Sequence, residues 1–117
     1  MEQNLNELVA AKNAMVVQGQ IVEATQKYFA EQAQTQDFDG TITSGKAEMV
    51  AKMEGFAGAI AQVKAIELKH VAVRGNASFA EYIFNFMMQD GSEVYWHEII
   101  RSVWEDGLIV HEQYFKG

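Results

Sequence analysis

Phe79-Ala80-Glu81-Tyr82-Ile83-Phe84-Asn85-Phe86-Met87-Met88-Gln89-Asp90-Gly91-Ser92-Glu93-Val94-Tyr95-Trp96 is the stretch that decides the fold. On both sides of Asp90-Gly91 the residues alternate with a period of two, as they do in a strand with two distinct faces. Asp-Gly supplies the positive φ angles that a tight hairpin turn requires. Two long antiparallel strands joined by a short turn follow from these residues alone.

The same punctuation recurs outward from this hairpin. Gly75 in Arg74-Gly75-Asn76 and Gly107 in Glu105-Asp106-Gly107 each stand 16 residues from Gly91. The spacing predicts a four-stranded antiparallel meander over Val63–Val73, Phe79–Met88, Glu93–Trp104 and Leu108–Phe115. Strands of this length must twist and curl. Tyr82, Phe84, Phe86 and Met88 share one face of the second strand, and Trp96, Glu98, Ile100, Ser102 and Trp104 share one face of the third. In the first strand Ile66, Leu68, His70 and Ala72 fall on one face but Val71 and Val73 on the other, which predicts a β-bulge near His70. Neither face of the central strands is wholly polar. One is expected to pack on helices and the other to meet a second copy of the chain, giving a homodimer through the outer sheet face.

The first half has helical period. Leu5, Leu8, Val9, Met15 and Val16 form one stripe, and Ile21, Thr25, Tyr28, Phe29 and Gln32 continue it after a break at Gln18-Gly19-Gln20. Two consecutive helices, or one bent helix, are expected. Gln34 to Thr43 is polar and carries Asp39-Gly40, so it reads as a turn, after which Ser44 is placed to cap a helix with Met49, Met53, Phe56 and Ile60 on its apolar face.

Composition bounds what such a domain can do. The 117 residues suit a single domain, 1–117, and 49% of them are hydrophobic, enough to bury a core. A formal net charge of −7 argues against binding nucleic acid, which depends on a basic surface. No apolar run is long enough for a membrane span or a signal sequence, so a soluble cytoplasmic protein is expected. Cysteine is absent, which removes disulfides, thiolate metal sites and thiol nucleophiles. Proline is absent too, consistent with regular elements joined by glycine turns.

Tyr28-Phe29-Ala30-Glu31, then Asp37-Phe38-Asp39-Gly40 leading through Ser44-Gly45-Lys46 into a helix, and Val103-Trp104-Glu105-Asp106-Gly107-Leu108-Ile109-Val110 with Tyr114-Phe115 near the end carry a resemblance over nearly the whole chain. The sequence resembles the nuclear transport factor 2-like superfamily, and within it the SnoaL-like and ketosteroid isomerase-like proteins. The resemblance implies an α+β fold of the cystatin-like kind: a conical barrel made by a curled, mainly antiparallel sheet packed on N-terminal helices. It also implies a pocket for a small molecule, and this architecture hosts isomerases, cyclases and dehydratases as well as non-catalytic binding modules.

Several residues are candidates for that pocket. Asp37 matches the position at which ketosteroid isomerases carry the base that moves a proton beside a carbonyl, a system that also serves as a general example of tuned carboxylates. The alternative is an aspartate bonding backbone amides in a turn. Lys12 interrupts the apolar stripe of the first helix, and with Asn13 it occupies the region where the isomerases have an oxyanion-stabilising tyrosine. It either donates to a carbonyl or carboxylate ligand or packs its stem and sends its ammonium to water.

Glu98 lies among Trp96, Ile100 and Trp104, where the isomerases have an acidic donor. It either takes part in catalysis or pairs with Lys12 across the cavity. Tyr28, Phe56, Tyr82, Phe84, Phe86, Trp96 and Trp104 are expected to build an apolar wall. His111 shares parity with Ile109, Gln113 and Phe115 and either reaches the ligand or bonds within the sheet. His70, His97 and His111 lack metal-ligand spacing, so no metal is expected, and proton transfer requires no cofactor. The activity expected is proton transfer on a small apolar carbonyl compound, the alternative a dimeric module that binds a hydrophobic ligand or partner.

Overall fold

The computed structural model describes residues 4–117. The first helix, α1 (Leu5–Val17), begins at Asn4, whose side chain accepts the Asn6 amide at 2.7 Å. It stops at Gly19, where φ is +84°, and α2 (Ile21–Tyr28) starts anew. Two helices with a glycine break are what the stripe predicts.

Tyr28 ends α2, and the chain passes directly into β1 (Phe29–Gln36). This corrects the expectation that Phe29 and Gln32 extend the helix and that Gln34 opens a turn. Alanine, glutamine and threonine dominate β1 and give little strand signal of their own. Pairing with another strand decides the conformation; Phe29 and Ala30 are buried where the strand begins, and beyond them Ala33 and Thr35 are the buried positions. The true turn is shorter, Asp37 to Gly40, and leads into β2 (Ile42–Ser44), antiparallel to β1.

Ser44 belongs to that strand, so it does not cap α3 (Lys46–Gly58). Gly45 does, with φ +93° and no side-chain bond, while the Ser44 hydroxyl accepts from Gln34. Ile60 likewise begins the next strand instead of ending the helix.

The meander appears as expected: β3 (Ile60–Arg74), β4 (Ala77–Met88), β5 (Glu93–Glu105) and β6 (Leu108–Lys116). Asp106 and Gly107 both have positive φ at the last hairpin. The six strands run in the order β2-β1-β6-β5-β4-β3, with β1 parallel to β6 and every other pair antiparallel. The sheet is not closed and is curled like part of a cone, and with the helices packed on it this is the α+β architecture expected.

Bulges do the curling. β3 carries extra residues at Ala61, Lys64 and Lys69 against β4. The last is the bulge expected near His70, and it returns Val71 and Val73 to the face that holds Ile66 and Leu68. A further bulge in β6 leaves Val110 without a partner, between the pairs Trp104–Ile109 and Val103–His111.

The three helices cover the inner face. One core cluster joins Val9, Tyr28, Phe29, Met49, Trp104 and Ile109, and the other joins Val16, Ala24, Tyr82, Phe84, Phe86 and Ile100. Among the described residues no helix is long and apolar enough to cross a membrane.

Candidate functional site

The inner face of the sheet and the helices do not meet everywhere. Between them lies a cavity of about 350 Å³, floored by Phe84, Phe86, Trp96 and Ile100 and roofed by Val16, Ala24, Met53 and Phe56. Phe56 stacks on Trp96 with ring centroids 5.3 Å apart and meets Phe86 edge-on at 5.6 Å. The cavity opens at the turn of Asp37, Phe38 and Asp39, where the Phe38 ring stays exposed beneath the Lys116 ammonium.

Its closed end is polar. Glu112 on β6 accepts Lys12 Nζ at 3.0 Å and Ser102 Oγ at 2.6 Å on one oxygen, and Tyr114 Oη at 2.8 Å on the other. Lys12 and Glu112 are both buried, so each charge is compensated by its partner. The expected Lys12–Glu98 pair is therefore replaced by Lys12–Glu112. The cause is the β6 bulge: beyond Val110 the alternation inverts, so Glu112 and Tyr114 point inward and His111 outward. His111, opposite Val103, consequently lies off the cavity.

Glu98 is left without a partner. It lines the cavity, is 8% exposed, and its carboxyl makes no hydrogen bond or ion pair among the described residues. Burial first, then the charges of Glu112 and Asp37, push this carboxyl up to about 7. The Tyr114 hydroxyl is pushed well above the usual phenol range, by burial first and then by Glu112, which favours its role as a neutral donor.

Asp37 reaches the mouth and is held there by Lys52 on α3, Nζ to Oδ2 2.6 Å, in a pair about one-third exposed on each side. Its backbone also closes the turn: its carbonyl accepts the Gly40 amide and its amide donates to Thr41. The turn role and the place at the cavity thus coincide in one residue.

Of the other candidates, Lys12, Phe56, Phe84 and Trp96 line the cavity. Asn13, Tyr28, Tyr82 and Trp104 do not. Asn13 is buried and accepts the Tyr82 hydroxyl at 2.7 Å behind the cavity wall. Tyr28 packs edge-on against Trp104, whose indole N–H donates to Ser78 at 2.9 Å. These four residues build the core that supports the floor.

His70 and His97 lie on the outer face, where Glu81 bonds both at 2.6 Å. No group of three or more metal-ligating side chains among the described residues is disposed to hold an ion. Glu112, Tyr114 and Lys52, with Thr25 and Asp39, are polar lining residues outside the candidates drawn from the sequence. A bulge at the corner after Gly107 would have been the signal for the first two, and the i, i+3, i+7 relation of Lys52 to Met49 and Phe56 the signal for the third.

No protein-family model matches the chain, and none of the curated proteins matches it. Solved structures do. A candidate SnoaL-like polyketide cyclase from Mesorhizobium loti superposes with a TM-score of 0.85 at 18% identity, over 97% of this chain and 99% of that one. A nuclear transport factor 2-like protein of unknown function from Burkholderia pseudomallei gives 0.81 at 12% identity, over 98% and 92%. A protein with the ketosteroid isomerase-like fold from Catenulispora acidiphila, in complex with trimethylamine, gives 0.77 at 15% identity, over 95% and 85%. Likeness along nearly the full length of each chain, together with three helices on an open, curled, mixed sheet, establishes that the protein has the nuclear transport factor 2-like fold.

Proposed function

We propose that the cavity is the active site of an enzyme that moves a proton beside the carbonyl of a small, largely apolar compound. The observation that carries this reading is Glu98: an unpartnered carboxyl, facing a pre-formed apolar cavity, with a proton affinity near neutral pH. Its Oε would take a proton from the carbon next to the carbonyl. The C–H electron pair becomes the C=C of an enolate, the negative charge passes to the oxygen, and the proton returns to a second carbon.

Lys12 is the group to stabilise that oxygen. Its ammonium has three N–H bonds, of which Glu112 takes one. Ser102 and Tyr114 fix Glu112, and Glu112 in turn fixes Lys12, so the donor is positioned before substrate arrives. Asp37 is less suited to be the base, because Lys52 neutralises it and solvent reaches it. Its place at the mouth suits entry and orientation of the substrate.

Solvent deuterium uptake tests the proposal. Small cyclic and aryl ketones incubated with the protein in D2O should exchange hydrogens next to the carbonyl, and Glu98→Gln should slow the exchange about 10²–10⁴-fold. Exchange that Glu98→Gln leaves unchanged would sink the reading in favour of a binding module. The outer face, where Phe79, Tyr95 and Phe115 are exposed, is proposed to meet a second copy of the chain. Sedimentation giving a monomer at micromolar concentration would reject that contact.

A further inference from the structure

The charges around the cavity do not cancel. Lys12 is matched by Glu112 at 3.0 Å and Lys52 by Asp37 at 2.6 Å. Lys116 is the cross-strand neighbour of Glu98, but its ammonium lies 5.7 Å over the Phe38 ring, outside the cavity lining. Asp39 turns its carboxylate back onto the Thr41 amide at 2.9 Å, at the exposed mouth. Among the described residues Glu98 is therefore the one interior carboxyl with no cation of its own, beside the stacked Phe56 and Trp96 rings.

From this imbalance we infer that the cavity selects ligands bearing a positively charged group, a protonated or quaternary amine, seated between the Glu98 carboxylate and the aromatic wall. The physical reasons are two. A cation supplies the missing counter-charge without disturbing either existing pair, and ring faces attract a cation through their negative quadrupole. An anionic ligand, by contrast, would bring a further negative charge beside Glu112 and Glu98, and Lys12 could meet it only by sharing the charge already matched to Glu112.

The inference rests on the cavity as the binding site and not on the proton transfer: a cation held on Glu98 neutralises it as Lys52 neutralises Asp37, so such a ligand is bound rather than turned over by this carboxylate. It adds to the small carbonyl compounds expected as substrates a class of ligand with a cationic head. Charged and titratable groups share the cavity with Glu98 from every surrounding element: Lys12 on α1, Asp37 and Asp39 in the turn after β1, Lys52 on α3, and Glu112 and Tyr114 on β6. The Glu98 carboxyl, raised to about 7, gains its charge near neutrality, so cation binding should strengthen as pH rises through about 7.

Tetramethylammonium, tert-butanol and pivalate share a compact methylated head and carry charges of plus one, zero and minus one. The chain has two tryptophans, and only Trp96 lines the cavity while Trp104 is sealed in the core, so their indole N–H resonances provide a site reporter and an internal control. Titrations at pH 8.5 should shift the Trp96 signal and leave the Trp104 signal nearly still. Tetramethylammonium should bind about tenfold or more tighter than tert-butanol, with pivalate weakest. At pH 5.5, and in Glu98→Gln at either pH, the advantage of the cation should fall to about threefold or less.

Equal binding of the three probes, preference for pivalate, a cation preference that survives in Glu98→Gln, or no shift at Trp96 would each overturn the inference. Those outcomes are separate from the deuterium exchange. Loss of exchange with retained cation selectivity would reject only the reaction, and the reverse would reject only the ligand class.

Discussion

Replacing Glu98 with glutamine should stabilise the protein, and by an amount that depends on pH. In the unfolded chain this carboxyl titrates near 4.5, and in the folded chain burial and the neighbouring carboxylates raise that to about 7. Below pH 4.5 it is protonated in both states and folding carries no penalty from its ionisation. As pH rises through 4.5 toward 7, the unfolded chain releases this proton while the folded chain retains it, so folding becomes progressively less favourable. Above 7 both states are ionised and the full penalty stands.

A change from 4.5 to about 7, at ~1.4 kcal/mol for each tenfold difference in proton affinity, corresponds to about 3 kcal/mol. Glutamine has nearly the same shape and never ionises, so the variant should escape that loss. In thermal denaturation followed by circular dichroism, the two proteins should differ by a constant small amount near pH 4. By pH 8.5 the variant should gain roughly 10–15 °C on the wild type, from about 3–5 °C per kcal/mol for a domain of this size. Parallel melting curves from pH 4 to 8.5 would show that Glu98 is solvated or paired in the folded protein. They would remove the basis for its role as a proton carrier.

Lys12→Met should destabilise the chain by about 3–5 kcal/mol in urea unfolding, because it strands the buried Glu112 carboxylate; adding Glu112→Gln should recover much of the loss. Asp37→Asn should cost no more than about 1 kcal/mol, since its pair with Lys52 is partly exposed, and it should slow exchange less than Glu98→Gln does. Trp104→Phe should destabilise by about 1–3 kcal/mol, measured in the same way, by leaving the buried Ser78 hydroxyl without its indole donor and a void beside Tyr28. Gly107→Val should lower the melting temperature, because φ there is +81° and a β-branched residue resists that conformation.

Sequence periodicity located the meander because each of its strands carries alternating large side chains and each turn a glycine. It also assigned the correct inner face to β4 and β5, which is why Phe84, Trp96 and Glu98 meet where they were expected to. β1 was invisible for the opposite reason. Most of its residues are small or amidic, and it is a strand only because the rim of the sheet and α3 hold it extended. The polar end of the cavity was misread through a single residue: with Val110 unpaired, parity counted from Ile109 selects His111 where the fold presents Glu112. The same displacement sets Glu112, and not Glu98, beside Lys12, the residue that interrupts the apolar stripe.

That unpaired residue makes β6 a strand with two linings in one sequence. Its inward set is Glu112 and Tyr114; its outward set is His111, Gln113 and Phe115. Were the bulge straightened, with Val110 paired to Val103, the two sets would exchange, offering the cavity an imidazole, an amide and a phenyl ring in place of a carboxylate and a phenol. Lys12 would lose its counter-charge in the same step and be free to engage Glu98 or an anionic ligand. Deleting Val110 would instead join Ile109 to His111 and leave every later pair in place, so Glu112 and Tyr114 would still face inward. The conformation of one unpaired residue, and not the length of the hairpin, therefore determines the polarity of ligand this protein can accept.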